Sequence, residues 1–196
     1  MMAATPPDPA GGPATPRRRA LVVAGATAVA AVAVEGTRRR CGPQSRAFGV
    51  VAVWAPMAWL GTISRVVTPR LPARWHELRD FERGGARIYE LAGVRVAKAA
   101  LRRGPLAAFN PDLHLPAERS PERLAHLDQR MRDAEAAHAI LFVATLGVAA
   151  RALARRRWTA ARWMLAANLA MNGYPVLLQR YNRGLLQQRF AGQLTP

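Results

Sequence analysis

A single cysteine, Cys41, stands among 196 residues, so no intramolecular disulfide can form. Its thiol lies beside an apolar run and is either a lipidation site or an ordinary free thiol. Lysine is equally scarce: Lys98 is the only one, and every other basic residue is arginine. Acidic residues number 12 against 29 basic ones, for a net charge of +17. No Gly-rich phosphate loop and no Gly-x-Ser-x-Gly elbow occurs, which removes P-loop nucleotide chemistry and the α/β-hydrolase nucleophile. A Glu-x-x-His pair, Glu135 and His138, occurs once, whereas a di-iron carboxylate bundle needs two copies.

What is present is positive charge arranged around apolar runs. An isoelectric point near 11.8 would ordinarily raise nucleic-acid binding. Arginine beside abundant Ala, Gly and Pro also fits a GC-rich coding bias, which accounts for part of the charge. The arginine clusters 17–19, 38–40 and 155–157 each flank an apolar run, as do basic residues that meet lipid headgroups. The partner implied is a membrane and not a nucleic acid.

Residues 1–16 carry one charge, Asp8, and read as a disordered tail. Residues 17–64 form an N-terminal hairpin of two apolar runs, Ala20–Val34 and Ala47–Ser64, the second holding Pro56, which predicts a kink. The first run reads as a retained helix; its rival is a signal peptide with a cleavage site at Ala31-Val32-Ala33. Residues 65–133 are polar. Trp75, Leu78 and Phe81 recur every third position there and predict an amphipathic helix at the membrane surface, broken by Gly84-Gly85 and resumed at Ile88–Leu91. Gly104-Pro105 and Asn110-Pro111 mark turns, and Ser120-Pro121 caps a new helix. Residues 134–183 hold two more runs, Ala134–Ala154 and Trp163–Leu178, and 184–196 form a C-terminal tail. The fold class expected is all-α: a membrane bundle of about four transmembrane helices, with the amphipathic-helical region between spans 2 and 3. Four spans put 20 of the 29 basic residues on the side shared by both termini and the polar region. The positive-inside rule makes that side cytoplasmic, in a multi-pass protein of the cell membrane.

Asn168, Asn172, Pro175 and Gln179 fall at i, i+4, i+7 and i+11, one stripe of a helix. Amides inside a bilayer face partners or a cavity, so the stripe points inward, as a substrate slot or as interhelical glue. Folding the last two runs about Arg157 brings Glu135 and His138 opposite Tyr174 to Gln179. A site of His, Glu, Asn, Gln and Tyr suits acid/base work, and a structural polar cluster is the alternative. His138 has the reference pKa for a general base, about 6.5, and Glu135 on the same face could orient it. Asn172, Tyr174 or Gln179 would donate to an oxyanion, and Arg180 or Arg183 would meet an anionic acyl donor. His76 and Asp80 are spaced His-x3-Asp, one residue short of the His-x4-Asp pattern of glycerolipid acyltransferases.

The segment Asn168-x3-Asn172-x-Tyr174-Pro175, followed by Gln179-Arg180-Tyr181-Asn182-Arg183, resembles the C-terminal signature of the glycosyl-diaponeurosporenoate acyltransferases. Glu135-x-x-His138 and Glu82-Arg83-Gly84-Gly85-Ala86-Arg87-Ile88-Tyr89-Glu90 match further segments, so the resemblance spans roughly residues 75 to 190. It departs at Val96-Ala97-Lys98, where Trp-Lys follows the Gly93-Val94-Arg95 equivalent in the family, and in the N-terminal tail. The resemblance implies transfer of a fatty acyl group to a sugar hydroxyl of a carotenoid glycoside. His138 and Glu135 would be catalytic, and Asn168, Asn172, Tyr174, Gln179, Arg180, Tyr181, Asn182 and Arg183 would bind substrate. No cofactor is expected beyond the acyl donor as co-substrate. The partners expected are lipid substrates and the membrane, with the oligomeric state left open. A non-catalytic protein that binds lipid or scaffolds a pathway is the alternative.

Overall fold

The computed structural model describes residues 15–64, 66–83, 87–103, 115 and 119–194, all helix, turn or irregular chain with no strand among them. The turns expected at Gly104-Pro105 and Asn110-Pro111 and the break at Gly84-Gly85 lie outside the described residues, as does most of the tail.

α1 (Pro16–Cys41) and α2 (Arg46–Ile63) form the first hairpin. Thr15 caps α1, which runs unbroken through Ala31-Val32-Ala33 and so extends beyond the apolar run at both ends. It has no buried residue and packs on α2, where the Trp59 indole donates to Thr27 Oγ1 at 2.9 Å. α2 stays helical through Pro56. After the polar segment come the short helices α3 (Ala73–His76), α4 (Arg87–Leu91) and α5 (Val94–Arg103). α6 (Pro121–Ala154) is a single 34-residue helix capped by Ser120, so the polar capping helix and the third apolar run are continuous. α7 (Trp158–Asn168) passes through a π-helical turn, Leu169–Gly173, into α8 (Tyr174–Arg189), and α9 (Ala191–Leu194) ends the described chain.

Three of these helices, α1, α2 and α6, are long and apolar enough to cross a membrane. The run expected as a fourth span, Trp163–Leu178, is helical but divided by the π turn, and is not among those three. Val29 and Val32 on α1, Trp54 on α2, Val143 on α6 and Leu169 after α7 expose apolar surface that water would penalise and lipid would not.

The amphipathic helix expected over residues 75–81 does not form. Only Ala73–His76 is helical; Leu78 is buried while Trp75 and Phe81 face outward. The carbonyls of Trp75, His76 and Glu77, which a longer helix would have used internally, accept hydrogen bonds from arginines of α8.

Small residues draw the helices together. Phe48 and Val53 of α2, Ala149 and Ala152 of α6, and Ala160, Ala161 and Met164 of α7 form one buried cluster, the close backbone approach common among helices in lipid. Between α6 and α7 the chain reverses at Arg156, whose φ of 57° is left-handed. The Arg157 N–H bonds the Ala152 carbonyl and the Arg156 N–H that of Leu153, the Schellman pattern with arginine where glycine is usual.

Gly49 marks the tightest contact: a Cβ there would lie 2.5 Å from the Ala160 carbonyl oxygen, whereas one at Gly61 would meet nothing within 4 Å. Gly49→Val should therefore cost about 1–3 kcal/mol through overpacking. Gly61→Ala should not lower the unfolding midpoint. Thermal unfolding in detergent compares the two, and equal midpoints would contradict this packing.

Candidate active site

The polar halves of α6 and α8 meet around one guanidinium. Arg183 is fully buried. Its Nε donates to Asp128 at 3.1 Å, one terminal nitrogen to Glu135 at 2.8 Å, and the other to the His76 carbonyl at 2.7 Å. Asp128 and Glu135 are seven residues apart on α6, hence on one face, and both reach the same arginine. One turn earlier on α8, Arg180 grips both oxygens of Glu82 at 2.6 and 2.7 Å. It also donates to Glu135 at 2.7 Å and to the carbonyls of Trp75 and Glu77 at 2.9 and 3.0 Å, so every N–H of its guanidinium is used. Glu135, fully buried, thus gives one oxygen to each arginine. Arg132 donates to the second oxygen of Asp128 at 2.6 Å. Three arginines and three carboxylates cancel, the condition under which charges tolerate burial.

Glu82 ties the polar segment to this core. It accepts from the Arg79 amide at 2.8 Å and from the Tyr89 hydroxyl. Burial alone would raise its pKa; the Arg180 guanidinium, the Tyr89 hydroxyl and the Arg79 amide outweigh that and hold it at about 2. Burial, and then the carboxylate it faces, push the Tyr89 phenol up to about 12. Tyr89 packs edge-on against Tyr181, whose hydroxyl donates to Glu90 at 3.3 Å. Lys98 donates to Asn182 Oδ1 at 2.6 Å, so the site's single lysine sits at the departure Val96-Ala97-Lys98. The Tyr174 hydroxyl donates to the Ala92 carbonyl at 3.0 Å, pinning the α4–α5 turn.

A second polar element contains no carboxylate. The Asn168 amide donates to the Phe142 carbonyl at 3.0 Å and accepts from the Asn172 amide at 2.9 Å. Asn172 Oδ1 lies 3.3 Å from His138 Nδ1. Both asparagines are fully buried. The chain has a direction because the Phe142 carbonyl can only accept. Each amide must therefore turn its NH₂ toward Phe142 and its oxygen toward His138, which makes Nδ1 the donor. The π turn carries Asn172. Pro175, four residues after Met171, has no N–H for that carbonyl, and the Tyr174 N–H bonds instead to Leu169, five residues back.

This geometry separates residues expected to act together. Glu135 is held by Arg180 and Arg183 and approaches a different histidine, with His76 Nδ1 3.5 Å from its carboxylate. His138 pairs with Asn172. Arg180 and Arg183, expected to meet an anionic donor, meet protein carboxylates. Past the π turn the helix face has advanced, so Arg180 and Arg183 address α6 in place of Pro175 and Gln179; the Gln179 Oε1 is buried without a partner. Sequence reasoning passed over Asp128, whose i−7 spacing from Glu135 was a usable signal, and His76 as a neighbour of Glu135, for which there was none. His76 is buried, and that burial lowers its pKa against the opposing pull of Glu135.

Residues 72–191 match the model of the glycosyl-4,4'-diaponeurosporenoate acyltransferase family. The chain belongs to that family. The matched stretch contains the whole ion-pair core and the His138–Asn172–Asn168 chain, while α1 and α2 lie outside it. No curated protein and no solved structure matches the chain.

In this acyltransferase Arg183→Gln leaves buried carboxylates uncompensated and should cost about 3–5 kcal/mol. Arg39→Gln, at an exposed pair with Glu35, should leave the unfolding midpoint unchanged. Glu82 titrates from about 2 in the fold against a reference of 4.5. Because the folded value is the lower, its stabilisation is complete above pH 4.5 and is lost as pH falls toward 2. Thermal midpoints measured across that range should fall, and Glu82→Gln should flatten the slope. An identical acid limb in the variant would show that Glu82 is not the group responsible.

Proposed function

We propose that the protein is a multi-pass membrane enzyme that esterifies a sugar hydroxyl of a lipid glycoside, of the carotenoid type, with a fatty acyl group. The observation that carries this reading is the coincidence of the family-matched stretch with a buried polar site at the end of apolar helices. Both substrates are amphipathic, and such a site receives their polar heads while lipid holds their chains. On a count of four crossings, the arginine distribution favours a cytoplasmic side for both termini and the polar segment.

His138 is the general base of this reading. With Nδ1 engaged as donor toward Asn172, Nε2 keeps its lone pair and takes the sugar hydroxyl's proton as that oxygen attacks the acyl carbonyl. The new bond is oxygen to acyl carbon. The bond broken joins that carbon to the donor's leaving group, which receives the proton back from His138. Asn172 and Asn168 act as positioning residues through the tautomer. A second reading rests on a separate observation: His76 stands 3.5 Å from the Glu135 carboxylate and lines an open cleft, so it too could serve as base with Glu135 behind it.

The test uses purified protein in detergent, candidate acyl donors and glycolipids, and mass spectrometry of products. His138→Gln should lose about 10²- to 10⁴-fold in turnover, the usual contribution of a positioned base, and His76→Gln should retain most of it. The opposite pattern assigns the base to His76. Near-normal turnover in both variants rejects acid/base catalysis by either histidine, and no product with any donor favours a lipid-binding or scaffolding protein.

A further inference from the structure

Arg180 and Arg183 are neutralised inside the protein, yet an arginine-lined cleft of about 610 Å³ opens beside them. Its lining runs from the 74–83 segment (Arg74, His76, Arg79, Arg83) to α6 and α8 (Arg132, Arg183, Gln187). Arg183, His76 and Leu78 are its buried members, and Arg74, Arg79 and Arg83 are exposed. The carboxylates nearby are largely committed. Asp128 is shared by Arg132 and Arg183, and Glu135 by Arg180 and Arg183. Asp80 stands 3.6 Å from Arg83 and is itself fully exposed. Glu77, the carboxylate on the lining, is exposed and forms no ion pair among the described residues. Arg74 and Arg79 likewise have no ion-pair partner among them. Guanidinium groups gathered around one concavity repel each other until an anion enters, and their planar forks suit phosphate oxygens.

We propose that this cleft binds a phosphate-bearing ligand, with Arg74 and Arg79 as its principal contacts and Arg83 and Arg132 as supporting charges. The cleft is of ligand size and its floor, Arg183, shares Glu135 with Arg180. His138 lies one helical turn, about 5 Å, further along α6. A donor anchored by its phosphates in the cleft would present its acyl group toward the apolar end of the bundle. That use of the cleft rests on the acyltransferase reading; phosphate binding itself does not. The phosphate could belong to a soluble donor or to an anionic lipid headgroup.

Inorganic pyrophosphate is the probe, titrated by calorimetry into the full chain in an uncharged detergent. The expected result is saturable binding that weakens with salt, and Arg74→Gln/Arg79→Gln should weaken it about tenfold or more, the loss of a charged hydrogen bond or two. Arg155→Gln/Arg157→Gln removes the same charge at the far end of α6 and should leave the affinity unchanged. Equal weakening in the two double variants, or no saturable binding by the wild-type protein, overturns the proposal. Repeating the titration in nanodiscs identifies the source. If phosphatidylglycerol displaces pyrophosphate and phosphatidylcholine does not, the occupant is a lipid headgroup; pyrophosphate binding in both lipids points to a soluble donor. Site-specific binding without transferase turnover upholds the cleft and fails the acyltransferase reading, while turnover without such binding does the reverse.

Discussion

The Glu135 carboxylate, with one oxygen held by Arg180 and the other by Arg183, is the contact on which the arrangement of the site depends. It sits at zero exposure, where a lone carboxylate would cost several kcal/mol. Two guanidinium groups meet it, and their surplus charge together with that of Arg132 is balanced by Asp128 and Glu82. Their remaining N–H groups then need acceptors, and the nearest are backbone carbonyls of residues 75–77. The polar segment is thereby held against the bundle by hydrogen bonds from α8 instead of by an apolar helix face. One buried carboxylate on α6 accounts for the conformation of a segment more than fifty residues away in sequence.

The π turn is the second constraint. Were α7 and α8 one regular helix, the stripe begun by Asn168 and Asn172 would continue to Gln179. The missing N–H of Pro175 is accommodated by bonding five residues back, and each half of the helix then addresses α6 with its own register. The apolar side brings Asn168 to Phe142 and Asn172 to His138. The polar side brings Arg180 and Arg183 to Glu135. Gly173 permits the close approach, since a Cβ there would press on the Phe142 ring at 3.0 Å.

Much of this was readable from the residues. Helix periodicity, arginine-flanked apolar runs and the Ser120 cap gave the helices of the hairpins, and the antiparallel fold of the last two placed Glu135 and His138 opposite Tyr174 to Gln179, whereas His138 meets Asn172, just before that stretch. The errors share a cause. Periodicity assumes a regular helix and unpaired side chains, and it failed where long-range hydrogen bonds captured the backbone at residues 75–77 and where Pro175 changed the register. Spacing could show that Glu135 and His138 share a face of α6; it could not show that arginines three and six residues beyond Leu177 would claim the carboxylate first. Composition also gave the apolar runs: three are helices long enough to cross a membrane, and the fourth is helical but divided by the π turn.

Along α6 the polar groups are ordered by the cost of taking them out of water. Asp128 is held between Arg132, still partly accessible, and Arg183. Glu135, one turn on, is inaccessible and carries two arginines. His138 follows with an amide partner, and then the Phe142 carbonyl, on the stretch where Ile140 and Val143 expose apolar surface. Full charges stop where counter-charges stop, and neutral dipoles continue one turn deeper because each needs a single partner. A neutral imidazole is the most polar group that this amide chain can support without a counterion. On the proposed reaction that placement has a chemical consequence. A base at His138 would lie beyond the ion pairs, toward the apolar surface, where a sugar hydroxyl delivered by its lipid anchor would compete with water for the acyl group.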